Sequence, residues 1–248
     1  MLGVPVEDQR IFREWTDKMM AITGDGSEAQ ASREHLSEYL RGLVAEHRAH
    51  PQDDLLTELI TARDVDDRLS EEELVTFART LLLAGHETTA NSTGNFVYML
   101  LANRELWQSL VADPDRIPAA VEELLRFVPL GGGAGFVRIA KEDLTLPSGH
   151  PIAEGDAVMP NLTSANRDEL VYEHADEVDF HRAENQHVAF GHGAHHCLGA
   201  PLARLEMQMA IASLVDRVPT LRLAVAADEV DFRHDRLVRG VRSLPVAW

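Results

Sequence analysis

The stretch FGHGAHHCLG, residues 190–199, holds the only cysteine in a chain of 248 residues. A single thiol rules out an intramolecular disulfide and any structural site built from several thiolates. The residues from Leu198 onward, LGAPLARLEMQMAIASLVDRV, carry apolar side chains at helical spacing, which predicts a helix over Leu198–Val218 with Cys197 directly ahead of it. Unpaired N–H groups and the positive end of the helix dipole favour an anion there, and with it the thiolate. Gly191 and Gly193 allow the backbone to fold close around the sulfur and to turn amide hydrogens toward it. The loop is suited to present one charged sulfur to one metal ion. Taken without its neighbours, a lone cysteine is more often a small buried apolar residue. A rival reading is a transition-metal cluster, since His192, His195, His196 and Cys197 crowd together. Adjacent ligands chelate one tetrahedral ion poorly, however, and only His192 with His195 has zinc-type spacing.

Working upstream, Ser70 and Glu73 form a capping-box pattern at the start of a proline-free run that continues through MLLA at Ala102, so one long helix is predicted. In its middle lies AGHETT, Ala84 to Thr89. Gly85 and the threonines are mediocre helix formers whose hydroxyls bond back to the preceding turn, so the ladder is expected to open there into a groove. Glu87 and Thr88 pair an acid with a hydroxyl, the parts of a proton relay, although such residues in mid-helix are often only solvated or back-bonded. The HE pair does not open a zinc-protease motif, because position 90 is Ala90 and not histidine. In AAVEELLRFVP, Glu123 and Arg126 stand three apart and share a helix face, an arrangement worth only a few tenths of a kcal/mol (about 0.3) on an exposed surface.

Further helices are predicted over Pro5–Ile22, Ser27–Ala49, Leu55–Ala62, Arg104–Val111 and Pro118–Phe127. Gly131 to Asn161 changes texture, with short alternating runs such as FVRIA, LTL and AVMPN that read as small strands. A loop-like stretch, SANRDELVYEHADEVDFHRAENQH, leads to the cysteine segment, and terminal strands close the chain. The 41 acidic side chains against 23 basic ones, net −18, would repel a phosphate backbone, which argues against a nucleic-acid partner. No apolar run reaches membrane-spanning length, and the first residues lack a secretory pattern, so a cytoplasmic location is expected.

Phe190, Gly191, Gly193, His195, Cys197 and Gly199 match, at every diagnostic spacing, the haem-binding pattern of the cytochrome P-450 family. AGHETT resembles that family's distal-helix motif, from Ala84 and Gly85 to Glu87 and Thr88. Glu123 with Arg126 resembles its ExxR pair. The resemblance implies a mainly α fold with small β-sheets, residues 1–248 being the C-terminal part of a single domain that lacks its N-terminal portion, with the first two helices as lids over the substrate pocket. It implies haem b held by Cys197 as axial ligand, Arg138 and His195 at the propionates, and Phe190, Gly191, Gly199, Ala84 and Gly85 lining the cofactor. Glu87 and Thr88 would carry protons, and Arg182 would close the network around Glu123 in place of the family's usual proline-aspartate-arginine pattern. Val128–Phe136 and the turn near Leu237 and Val238 would line the pocket. The implied activity is insertion of one oxygen atom from dioxygen into a small organic substrate. Electrons would come from NAD(P)H through a ferredoxin and its reductase, since the chain carries no flavin or dinucleotide fingerprint. The alternative is a truncated, haem-deficient, non-catalytic fragment or interaction module, poorly soluble because apolar surface is left uncovered.

Overall fold

A computed structural model describes residues 2–65, 69–131 and 137–248. Its described residues fall into two compact units, Met1–Ala90 with Arg233–Val238, and Asn91–Phe232 with Arg239–Trp248. Among them, no helix is long and apolar enough to cross a membrane.

The first unit is helical. A 3-10 turn over Val6–Asp8 leads into α1, Gln9–Met19, shorter at both ends than the Pro5–Ile22 span predicted from its apolar spacing. Helix α2, Ser27–Ala49, follows a left-handed Gly26, and α3 is Leu55–Asp64. Leu36, Leu40, Leu43, Val44 and His47 recur at helical spacing on α2, and all are buried. Leu36, Leu40, Leu43 and Val44, together with Phe12 of α1 and Leu56 and Ile60 of α3, build one apolar core. Truncating any one of these leucines to alanine costs about 2–5 kcal/mol. Asp54 caps α3 through the Thr57 amide at 2.9 Å, and the His47 ring reaches the same carboxylate at 2.9 Å, joining the end of α2 to the start of α3.

Helix α4, Glu71–Ala102, contributes to both units. Its capping box forms as the sequence suggests: the Ser70 amide donates to Glu73 Oε2 at 2.8 Å and the Glu73 amide to Ser70 Oγ at 3.2 Å. The Asp66–Arg68 part of the preceding acidic turn lies outside the described residues.

The second unit packs α5, Arg104–Ala112, α6, Ile117–Phe127, and α8, Ala200–Arg217, with the end of α4. Trp107 is fully buried among them, and its indole N–H donates to the Pro219 carbonyl at 2.8 Å, so its one polar atom is satisfied. The predicted strands shrink to antiparallel pairs of two residues each. These are β1, Arg138–Ile139, with β4, Ala157–Val158; β2, Leu144–Thr145, with β3, Pro151–Ile152; and β5, Arg222–Leu223, with β6, Val246–Ala247. A one-turn helix α7, Leu162–Ala165, stands where the sequence reads as strand and loop, because Asn161 caps it through the Ser164 amide at 3.0 Å.

Candidate functional site

In the second unit the cysteine loop is closed by its own backbone. The Cys197 N–H donates to the Phe190 carbonyl at 2.9 Å, the Gly191 N–H to Val188 at 2.9 Å, and the His196 N–H to Gly193 at 3.0 Å. Gly191 and Gly193 have φ of 73° and 79°, a left-handed backbone that explains glycine at both positions. A Cβ on Gly193 would meet nothing within 4 Å, so conformation and not crowding by the chain selects it. Cys197, His195 and Gly199 are exposed, Gly191 is half-exposed, and Phe190 packs partly buried against the core. Gly199 occupies the N-cap of α8, which places Cys197 two residues ahead of the cap and three ahead of the first helical residue, Ala200. The predicted helix over Leu198–Val218 thus begins two residues late and leaves Leu198 in the loop.

The same unit holds the pair on α6. Glu123 and Arg126 are both almost fully buried, unlike an ordinary surface pair three residues apart. Arg126 donates from Nε and Nη2 to Glu123 at 2.9 and 2.7 Å, in the bidentate geometry that suits guanidinium and carboxylate. Its remaining N–H groups reach the carbonyls of Asn166, Ala175 and Glu177 at 2.8, 2.8 and 2.9 Å. Glu123 also receives Arg182 Nε at 3.2 Å, Asn185 Nδ2 at 3.0 Å and the Asp179 amide at 3.0 Å. The pair therefore fastens α6 to the whole segment that leads to the cysteine loop. Asn185 is a member of this network that sequence reasoning did not single out; it lies only five residues before Phe190.

Arg138 is exposed on β1, opposite Val158, and has no ion pair or hydrogen-bonded side chain among the described residues. Of the predicted pocket loop Val128–Phe136, Gly132–Phe136 lies outside the described residues.

The AGHETT segment falls in the first unit. Helix α4 is continuous through it, so the local opening expected from Gly85 and the threonines does not occur. The Thr88 hydroxyl donates to the Ala84 carbonyl, a back-bond accommodated without breaking the helix. Thr88 is half-buried, whereas Ala84 and Gly85 are exposed. Glu87 is buried and accepts a hydrogen bond from Thr16 Oγ1 of α1 at 2.9 Å. Nothing in the spacing of the sequence pointed to Thr16, since 71 residues separate the partners. Leu237 also belongs to this unit, its amide donating to Met20 at 3.0 Å.

The residues of the second unit fit a haem. One exposed sulfur heads a helix, and Arg138 and His195 offer cationic or N–H donors, uncommitted to any ion pair among the described residues, for its carboxylates. Next to them in the chain, Val137 and Leu198 expose apolar surface for the macrocycle. No group of three or more His, Cys, Asp or Glu among the described residues is arranged to hold a metal ion, which leaves the cluster reading of HGAHHC without a ligand set.

Residues 11–219 match the sequence profile of the family described as Cytochrome P450. The chain belongs to the cytochrome P450 family, whose members bind haem b. Among curated relatives it is 43% identical to the mycinamicin IV hydroxylase/epoxidase of Micromonospora griseorubida and 45% identical to the nocardicin C N-oxygenase of Nocardia uniformis subsp. tsuyamanensis. Each match takes in 100% of this chain and 62% of the relative, so the chain spans less than two thirds of their length. Among solved structures it resembles the LnmA cytochrome P450 hydroxylase from the leinamycin pathway of Streptomyces atroolivaceus S-140. The TM-score is 0.92 at 49% identity, covering 100% of this chain and 64% of that one. The structure of HinD with NMFT and NO is matched at TM-score 0.95 and 44% identity, covering 99% and 62%.

Proposed function

We propose that this chain is part of a haem-thiolate monooxygenase, which inserts one oxygen atom of dioxygen into a small organic molecule. The other atom leaves as water, with a pair of electrons and a pair of protons taken up. The observation that carries this reading is the cysteine loop: an exposed sulfur three residues ahead of α8, on a backbone closed by the Cys197 N–H and the Phe190 carbonyl. When bound there, haem supplies the one-electron and dioxygen chemistry, with a thiolate ligand favouring O–O cleavage. Arg138 and His195 bind its propionates as charge-assisted donors. Phe190, Gly191 and Gly199 line the cofactor, as do Ala84 and Gly85. Glu87 and Thr88 serve as acid and hydroxyl in the proton relay. Glu123, Arg126 and Arg182 keep the loop's approach rigid. Electrons come from NAD(P)H through a ferredoxin and its reductase, and the reaction takes place in the cytoplasm.

Turnover under isotopically labelled dioxygen, with ferredoxin, reductase and NAD(P)H, tests the proposal. Product carrying one labelled oxygen atom is expected; label recovered only in peroxide or water contradicts it. A second reading, a haem-deficient interaction module, is favoured by one observation. Leu202, Leu205 and Met209 of α8 expose apolar surface at helical spacing, with Leu198 exposed in the loop just ahead of them.

A further inference from the structure

Glu122 precedes the buried Glu123 on α6, and about 100° of helical rotation between consecutive residues sends the two carboxylates to different partners. Glu122 receives a bidentate pair from Arg204 of α8, Nε at 2.7 Å and Nη2 at 3.0 Å. His187 Nε2 lies 3.0 Å from the same carboxylate. The Ala189 amide donates to His187 Nδ1 at 3.2 Å, which makes Nδ1 the acceptor and assigns the ring hydrogen to Nε2, aimed at Glu122. Both partners also pack against Phe190. The Arg204 guanidinium carbon is 4.6 Å from its ring centroid and the His187 ring is 6.0 Å away. Phe190 is also the residue whose carbonyl accepts the Cys197 N–H.

We propose that Glu122 is a positioning residue for Cys197: through Arg204 and His187, which both pack against the Phe190 ring, it holds that residue in place and so fixes the carbonyl that holds the Cys197 amide. The sulfur's orientation is then set by a charge on α6 that never touches it. Burial works against the charge on Glu122, but hydrogen bonds from His187 and Arg204 outweigh it and hold the group at about 2, so the clamp stays ionised at neutral pH. The functional meaning rests on Cys197 being the haem ligand; the clamp itself is a property of the chain.

The test compares wild type with Glu122→Ala, Glu122→Gln and Arg204→Lys. Loss of charged hydrogen bonds predicts exchange of the Gly191 and Cys197 amides roughly ten- to a hundredfold faster in Glu122→Ala, with α5 amides unchanged. Glu122→Gln, which keeps one acceptor oxygen, restores part of the protection. Arg204→Lys keeps the charge but not the planar fork over Phe190 and loosens the same amides to a smaller extent. In the haem-loaded protein, the reduced carbon-monoxide spectrum of Glu122→Ala moves from the thiolate form toward the thiol form. Wild-type exchange at Gly191 and Cys197 in both Glu122→Ala and Arg204→Lys would overturn the proposal. So would α5 amides accelerating equally, which reduces Glu122 to a scaffold residue. A wild-type protein without a thiolate spectrum would defeat the proposed function, and the exchange rates would still decide the role of Glu122.

Discussion

Removing Glu123 should cost far more stability than its spacing from Arg126 suggests. Arg126 makes five hydrogen bonds, two of them to Glu123, and both side chains are nearly free of solvent contact. In Glu123→Ala the guanidinium keeps its three carbonyl partners but loses its counter-charge, while Arg182, Asn185 and the Asp179 amide lose their acceptor. Breaking a buried pair by deleting one member costs about 3–5 kcal/mol, because an uncompensated charge remains. That is a large share of the roughly 5–15 kcal/mol that holds a domain together. Arg126→Ala should cost a similar amount, and the double variant less than the sum, with a coupling of about 1–3 kcal/mol. Guanidinium unfolding of wild type, both single variants and the double variant measures all of these. Singles costing under about 1 kcal/mol each, adding without coupling, would refute the argument that burial makes this pair structural.

Three other outcomes follow from the geometry. Thr16→Val, which keeps the shape of the side chain and removes the donor to Glu87, should destabilise the first unit by about 1–3 kcal/mol in the same unfolding experiment. Thr88→Ala should leave the thiolate-type spectrum intact and divert electrons to peroxide, read as peroxide formed per NAD(P)H oxidised; undiminished coupling would remove Thr88 from the proton relay. Because the Glu122 carboxyl is depressed from 4.5 to about 2, its contribution to stability is present above 4.5 and lost as pH falls toward 2. Glu122→Gln should therefore show a shallower loss of stability over that window in acid titration of the folded state.

Much of the secondary structure was legible because its signals are local. The Ser70–Glu73 box, the apolar spacing from Leu36 to His47, and the proline at the start of α6 each depend on residues within a few positions of one another. Misreadings arose where propensity met tertiary context. Gly85 and the threonines lower helix propensity by only about 1 kcal/mol per residue, too little to open a 32-residue helix. The Asx cap at Asn161 turned a predicted strand end into a helical turn. In the site, the cysteine loop and the Glu123–Arg126 pair could be found from spacing, since their members are close in the chain. Asn185, Thr16 and the Glu122 clamp could not, because their partners lie 62, 71 and up to 82 residues away and only folding brings them together. The pairing of Arg182 with Glu123 was reached through family resemblance and not through any local pattern.

Cys197, the one thiol of the chain, is proposed to ligate haem iron as a thiolate. The most direct test is the reduced carbon-monoxide difference spectrum of the haem-loaded protein beside that of Cys197→Ala. A red-shifted Soret band in the wild type that vanishes in the variant is predicted; the same spectrum from both proteins would contradict the account.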